Sequence, residues 1–232
     1  MNIRVMSFNT QHCLNYKTQQ IDFKIMADAI KELGGEIVGL QEMRSKGADP
    51  EYTDQLKALS SLTGYDYYYF AKAIDVDGEN PYGNGILSKY PIVSAENVII
   101  PNPTPDKCET RCVLKAVIYA GSPLTVLVTH FGFSDEEHEN AVDTVLNHIT
   151  QERCVLMGDF NMKPENNALS RIRECMRDSA EFFDTPKLSF PSDFPTRKID
   201  YLFLSRDINL SFADIPAVVA SDHRPYICDI EI

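Results

Sequence analysis

Along this chain a carboxylate, amide or imidazole repeatedly stands where an apolar, strand-like run gives out. Asn9 closes residues 3–9, Glu42 follows residues 37–40, and His130 follows residues 124–129. Gly158-Asp159-Phe160-Asn161 follows the run 154–157, and near the C-terminus come Ile199-Asp200-Tyr201 and Ser221-Asp222-His223. Side chains at strand ends leave the core and meet solvent, so strands that end at one rim would gather these groups into one site. Carboxylates and imidazoles collected in this way suit a hard divalent cation and a phosphoryl centre. Singly, each has a plainer explanation. Asp at a strand end is commonly a turn or cap residue, Asn9 an Asx-turn former, Glu42 a solvated terminus and His130 a satisfied core histidine. His12, His138 and His148 lack such a setting, and His138 and His148 read as surface positions on a polar helix.

The elements that must position these groups follow from periodicity. Residues 3–9 alternate as a strand, with Ile3, Val5, Ser7 and Asn9 on one face and Met6 and Phe8 on the other. Ile21, Ile25, Ala29 and Leu33 recur at helical spacing until Gly34-Gly35 ends the helix. A short buried strand at 37–40 precedes a helix marked by Leu56, Leu59 and Leu62, which Gly64 stops, and then an aromatic strand at 65–70. Further strands are predicted at 85–87, 92–100, 112–119 and 124–129, the last pair joined across Ala120-Gly-Ser-Pro123 as an antiparallel hairpin. Ser134-Asp-Glu-Glu137 is a capping box that opens a helix running through Ile149. A strand at 154–157, a helix around 168–176 and strands at 199–204, 208–212 and 225–230 complete the order. The two halves look alike, and no linker interrupts them, which predicts one domain over 1–232. A mostly antiparallel pair of sheets packed face to face, with helices outside, fits this order better than a doubly wound parallel sheet. Neither GxGxxG nor GxxxxGK[ST] occurs, which argues against nucleotide binding by those routes.

Composition narrows the partners. With 44% hydrophobic residues in 232, the chain can bury a sizeable core. Its 22 Lys and Arg face 34 Asp and Glu, a formal charge of -12. That field disfavours extended duplex DNA unless bound cations or a local basic rim reverse its sign; Arg44, Lys46, Lys89, Lys163, Arg197, Lys198 and Arg224 are the candidates for such a rim. The six cysteines lack the spacing of a disulfide framework, and no second pair completes a zinc site with Cys108 and Cys112. Cys154 and Cys228 read as buried small hydrophobes. No apolar run approaches the roughly 20 residues of a membrane span, and the N-terminus alternates rather than forming a signal-peptide core. A cytoplasmic monomer is expected.

Read together, these segments resemble the endonuclease/exonuclease/phosphatase family, with its deoxyribonuclease I-like fold. The matching pieces are Ser7-Phe8-Asn9, Leu40-Gln41-Glu42, the stretch GNGILSKYPI at 83–92, Thr110-Arg111, Val128-Thr129-His130, Gly158-Asp159-Phe160-Asn161, Lys198-Ile199-Asp200-Tyr201 and Ser221-Asp222-His223. They occur in the family's order and span nearly the whole chain. The segment 189–198 also resembles a stretch of compact members. The resemblance implies an α/β fold, a four-layered α/β/β/α sandwich with two mostly antiparallel or mixed sheets face to face, and metal-dependent hydrolysis of phosphoesters. It implies Asn9, Glu42 and Asp222 as ligands to Mg2+, with Mn2+ an acceptable substitute. Asp159 would orient and deprotonate the attacking water, and Asn161 would donate to a non-bridging oxygen. His223, held by Asp200, would be the protonated transition-state histidine, and His130 would reach the phosphoryl group from the other half. Arg111 and Asn84 would contact substrate. A small phosphoester or short nucleic-acid end fits the charge better than long duplex. A repair-type nuclease and a non-catalytic phosphate-binding scaffold remain as alternatives, and Asp200–His223 could be a structural ion pair.

Overall fold

Apolar alternation decides the architecture. In β1 (Asn2–Asn9), Ile3 and Val5 point one way and Met6 and Phe8 the other, and all of them are buried. Such a strand must lie between packed layers on both sides. The computed structural model, which describes residues 1–232, repeats this arrangement in both halves. After β1 come the small hairpin of β2 (Leu14–Asn15) and β3 (Gln20–Ile21), α1 (Phe23–Leu33) and β4 (Ile37–Arg44). α2 (Gln55–Thr63), β5 (Tyr67–Val76) and β6 (Asn80–Ser88) finish the first half. The second half runs through β7 (Ile92–Ile99), β8 (Cys112–Tyr119), β9 (Pro123–His130), α3 (Asp135–Leu146) and β10 (Cys154–Asp159). It closes with α4 (Ala168–Cys175), β11 (Met176–Asp178), β12 (Asp200–Ser205), β13 (Asn209–Asp214) and β14 (Tyr226–Glu231).

The strands form two six-stranded sheets, in the orders β13-β14-β1-β4-β6-β5 and β11-β12-β10-β9-β8-β7. Within them only β1–β4 and β9–β10 pair in parallel. α1 and α3 are the helices of those crossovers, as parallel neighbours require. One core cluster lies between the sheets, joining Ile3, Val5 and Ile86 to Val126, Val128, Met157 and Leu202. A second packs Met6, Phe8 and Leu40 against α1 and α2 through Met26, Ile30 and Leu59. The third packs Leu127, Leu156 and Phe203 against α3 and α4 through Val142, Val145 and Leu169. The chain is therefore a four-layered α/β/β/α sandwich of two mixed sheets, the deoxyribonuclease I-like fold.

Helix ends match their chemistry. Asp22 caps α1 by accepting from Ile25 N, so the helix begins at Phe23 rather than at Ile21, which belongs to β3. Gly34 and Gly64 end α1 and α2 in the left-handed region, where a side chain would be strained. The capping box at Ser134 and Glu137 is present. Sequence periodicity placed the strands near Tyr65 and Gly85 too short, because the polar residues of the β5–β6 hairpin hide its alternation. His138 departs from its surface reading. It is buried against Gly132 O at 3.0 Å, on the inner face of α3.

Candidate active site

The site is the open end of the core between the sheets. Val155 and Met157 of β10 belong to that core, and alternation puts Asp159 on the same face at the strand's last residue. The same parity carries Val126 and Val128 to His130 on β9, Leu204 and Leu202 back to Asp200 on β12, and Ile3 and Val5 to Asn9 on β1. Register completes the placement, since Asp159 pairs with His130 on one side and with Asp200 on the other. Three neighbouring strands thus present His130, Asp159 and Asp200 in a row.

Asp159 is the hub. Its Oδ1 accepts from Asn161 N at 2.9 Å, and its Oδ2 accepts from Asn9 Nδ2 at 3.0 Å across the gap between sheets. His223 Nε2 and His130 Nε2 each approach that Oδ2 at 3.5 Å. On its far side, His223 Nδ1 lies 2.8 Å from Asp200 Oδ2. Phe190 packs on the His223 ring at a centroid distance of 4.8 Å, and Ser192 braces the following loop through Asp222 O at 2.7 Å. Burial lifts the Asp159 carboxyl to about 7, against the opposing pull of His223. For His223 burial disfavours the charge, but Asp200 and Asp159 outweigh it and push the imidazole up to about 10. His223 is therefore an imidazolium at neutral pH, held between two carboxylates. Asp159, Asp200 and His223 lie within 4.8 Å of one another, but a protonated imidazole has no lone pair for a metal.

His130 is the opposite case. Burial, with Arg111 and then His223, holds it well below the ordinary imidazole range, so it is neutral. Arg111 Nη1 donates to His130 Nδ1 at 3.0 Å, which places the single ring proton on Nε2, the nitrogen nearest Asp159. The same guanidinium pairs with Glu109 at 3.1 Å, and its Nε is buried without a partner. Asn161, left-handed at φ 50, donates Nδ2 to Phe131 O at 3.1 Å; that nitrogen also lies 3.1 Å from His130 Nε2, but two N–H donors make no hydrogen bond there. Asn84 turns its amide nitrogen to Cys112 O at 2.9 Å, tying β6 to β8 beneath the site.

Glu42 reaches the cluster by a break in regularity. The β4–β6 register shifts between Leu40 and Met43, and Glu42 takes a φ of 61. Bulges of this kind re-aim a side chain beside active sites. Glu42 Oε1 consequently accepts from Asn9 Nδ2 at 3.0 Å, so one amide bridges Glu42 and Asp159. Asn9 Oδ1 accepts from Gln11 N at 3.0 Å, so Asn9 turns nitrogen, not oxygen, toward those carboxylates. Asp222 is half-buried on this side, and burial together with Glu42 raises its carboxyl despite His223. Tyr82, which the sequence analysis passed over, lies against Glu42; burial and then Glu42 hold its phenol well above its usual range.

A family model described as "Endonuclease/Exonuclease/phosphatase family" matches residues 6–223, the span from β1 to His223. The chain belongs to the endonuclease/exonuclease/phosphatase family. It is 22% identical over 250 residues to the uncharacterized protein YbhP of Escherichia coli (strain K12), with 100% of this chain and 97% of that protein covered. Among solved structures it is similar to the endonuclease/exonuclease/phosphatase from Beutenbergia cavernae DSM 12333, at TM-score 0.83 and 22% identity, covering 100% of this chain and 72% of that one. A mannosyl-6-phosphatase of Bacteroides thetaiotaomicron VPI-5482 superposes at TM-score 0.80 with 16% identity, covering 99% of this chain and 100% of that one. Members of this family are hydrolases of phosphoesters and typically depend on a divalent metal.

The donors here fit such a metal. Glu42 and Asp222 supply hard carboxylate oxygens within electrostatic reach of each other. On the turn after β1, Gln11 Oε1 is a buried oxygen without a hydrogen-bond partner. No thiolate joins them, and Cys13 lies fully buried. Oxygen-rich sets of this kind favour Mg2+ or Mn2+ over zinc. The proposed basic rim is only partly present. Lys198 is buried with its ammonium 3.4 Å from the Tyr201 ring centroid, and Lys89 follows Ser88, which pairs with Ile37 at the end of β4 opposite Glu42. Both corrections have one cause: alternation says which face a residue occupies, not whether a long side chain folds inward or which sheet end it meets.

Proposed function

We propose that this protein is a divalent-cation-dependent phosphoesterase that cleaves small phosphoesters by in-line attack of water. The observation that carries the reading is Asp159, a carboxyl lifted to about 7 by burial at the meeting point of Asn9, Asn161, His130 and His223. A group so poised accepts a proton near neutral pH, as a general base must. In this reading Asp159 orients the water and takes its proton as the new P–O bond forms, and the ester P–O bond breaks with the alcohol oxygen leaving and taking a proton from solvent. The His223 imidazolium, oriented by Asp200, and the His130 Nε2–H stabilise the negative charge that collects on the phosphoryl oxygens. Arg111 fixes the His130 tautomer, and Asn161 positions Asp159 through its main-chain N–H. Glu42 and Asp222, with Asn9 bridging Glu42 to the base, would hold Mg2+. Such a cation supplies charge neutralisation and a Lewis-acid contact to oxygen.

Small substrates are favoured over extended duplex DNA because the net charge of -12 opposes polyanion binding and the basic rim is sparse. The mannosyl-6-phosphatase among the similar structures supports a phosphomonoester. The test is a panel of phosphomonoesters and phosphodiesters assayed with Mg2+, with Mn2+ and with chelator. Turnover of a small ester that chelation abolishes and Mg2+ restores is the expected result. Metal-independent turnover, or no turnover of any ester, would overturn the proposal.

A further inference from the structure

A cavity of about 540 Å³ opens beside the Glu42–Asp222 side of the site, within the roughly 300–1,000 Å³ usual for small-molecule sites. Its walls come from the segments that leave β1 and β4, parallel neighbours that end at the same rim. His12, Gln19, Gln20, Arg44, Glu51 and Thr53 provide its polar lining. His12 follows Asn9 by three residues and Arg44 follows Glu42 by two, so the two parallel strands that carry the cluster also carry the cavity.

This cavity is built rather than incidental. Gln55 is fully buried, donates to His12 O at 2.8 Å and accepts from Arg44 N at 2.8 Å, so one amide clamps both walls. Gln11, His12 and Cys13 stand consecutively in the left-handed region, at φ 47, 46 and 63. Such backbone persists only where its surroundings enforce it, and it clusters at functional sites. Arg44 stacks over Tyr52 at 4.6 Å and reaches Glu51 at only 3.5 Å, while its Nε is buried with no partner. A buried donor left unsatisfied is costly, and a ligand drawn to the guanidinium from the cavity would offset that cost.

The lining selects a chemical class. Arg44 only donates and Glu51 only accepts, while Thr53 and Gln20 do both. Hydroxyl groups, each donor and acceptor at once, match this alternation. A second phosphate would instead confront Glu51 and compete with it for Arg44. We infer that this cavity receives a polyhydroxylated alcohol, a sugar or similar polyol, so that the substrate is a sugar phosphate whose phosphoryl group lies at Asp159. This rests on the phosphoesterase reading and narrows it.

The test compares kcat/KM for a hexose 6-phosphate and for phenyl phosphate, with Mg2+, in wild type, Glu51→Ala, Thr53→Val and Arg44→Met. Glu51 is largely exposed, so its variant keeps the fold. Wild type is expected to prefer the hexose ester, and each variant to cut that preference about tenfold, mainly through KM. Preference for phenyl phosphate, or a hexose preference that all the variants retain, would overturn the inference while leaving the phosphoesterase intact. Failure to hydrolyse either ester would overturn this inference, and the phosphoesterase reading would fall with it only if the full panel of mono- and diesters also gave no turnover.

Discussion

In the proposed mechanism Asp159 and His223 make opposite demands on pH. Asp159 must be ionised to accept a proton, and burial sets that near 7; His223 must stay protonated, and its carboxylate neighbours extend that to about 10. Activity is therefore expected to rise with pH through about 7, or somewhat lower with cation bound, and to fall through about 10. The limbs belong to the coupled cluster rather than to either residue alone. A kcat/KM profile checks this, and His223→Asn should abolish the alkaline limb. Replacing Asp159 by Asn, or His223 by Ala, should lower kcat by about 10²–10⁴-fold with the fold retained, as the loss of a general base or a charge-stabilising donor does. Wild-type turnover in Asp159→Asn would reassign the base. Glu42→Ala should instead raise the Mg2+ concentration needed for half-maximal rate, as read from a metal titration.

At the level of strands and helices, the parallel β9–β10 pair sets the position of Asp159. A Cβ at Gly158 would meet Thr129 O at 1.9 Å, backbone that cannot yield without moving β9 from β10. Gly158→Ala should cost roughly 3 kcal/mol or more of stability, or shift Asp159 and extinguish activity in whatever folds; urea unfolding and turnover together decide. This element scale also shows what the sequence made readable. The stripe that ends in Asn9, His130, Asp159 and Asp200 follows from alternation alone, and the family resemblance supplied its pairing. Glu42 was named from its motif, but its aim depends on a left-handed residue inside a strand, which no periodicity reports. The His12–Arg44 cavity is not legible in the sequence because loops shape it and a distant Gln55 clamps it. Lys198 failed as a rim residue because an aromatic face attracts its ammonium inward.

Over the whole molecule the excess of 34 acidic over 22 basic residues governs encounter. Turnover of a small phosphoester should change only modestly between low and physiological salt, while binding of a long duplex should be undetectable at 150 mM salt. A gel-shift titration at graded salt checks the second point, and tight retention with a steep salt slope would contradict it.

The site draws Asn9 from the strand that begins the chain and His223 from the turn before β14, with every other participant between them. A polypeptide emerging from the ribosome accordingly holds no competent centre until translation has passed His223, and a proteolytic nick that frees either extremity should silence both halves at once.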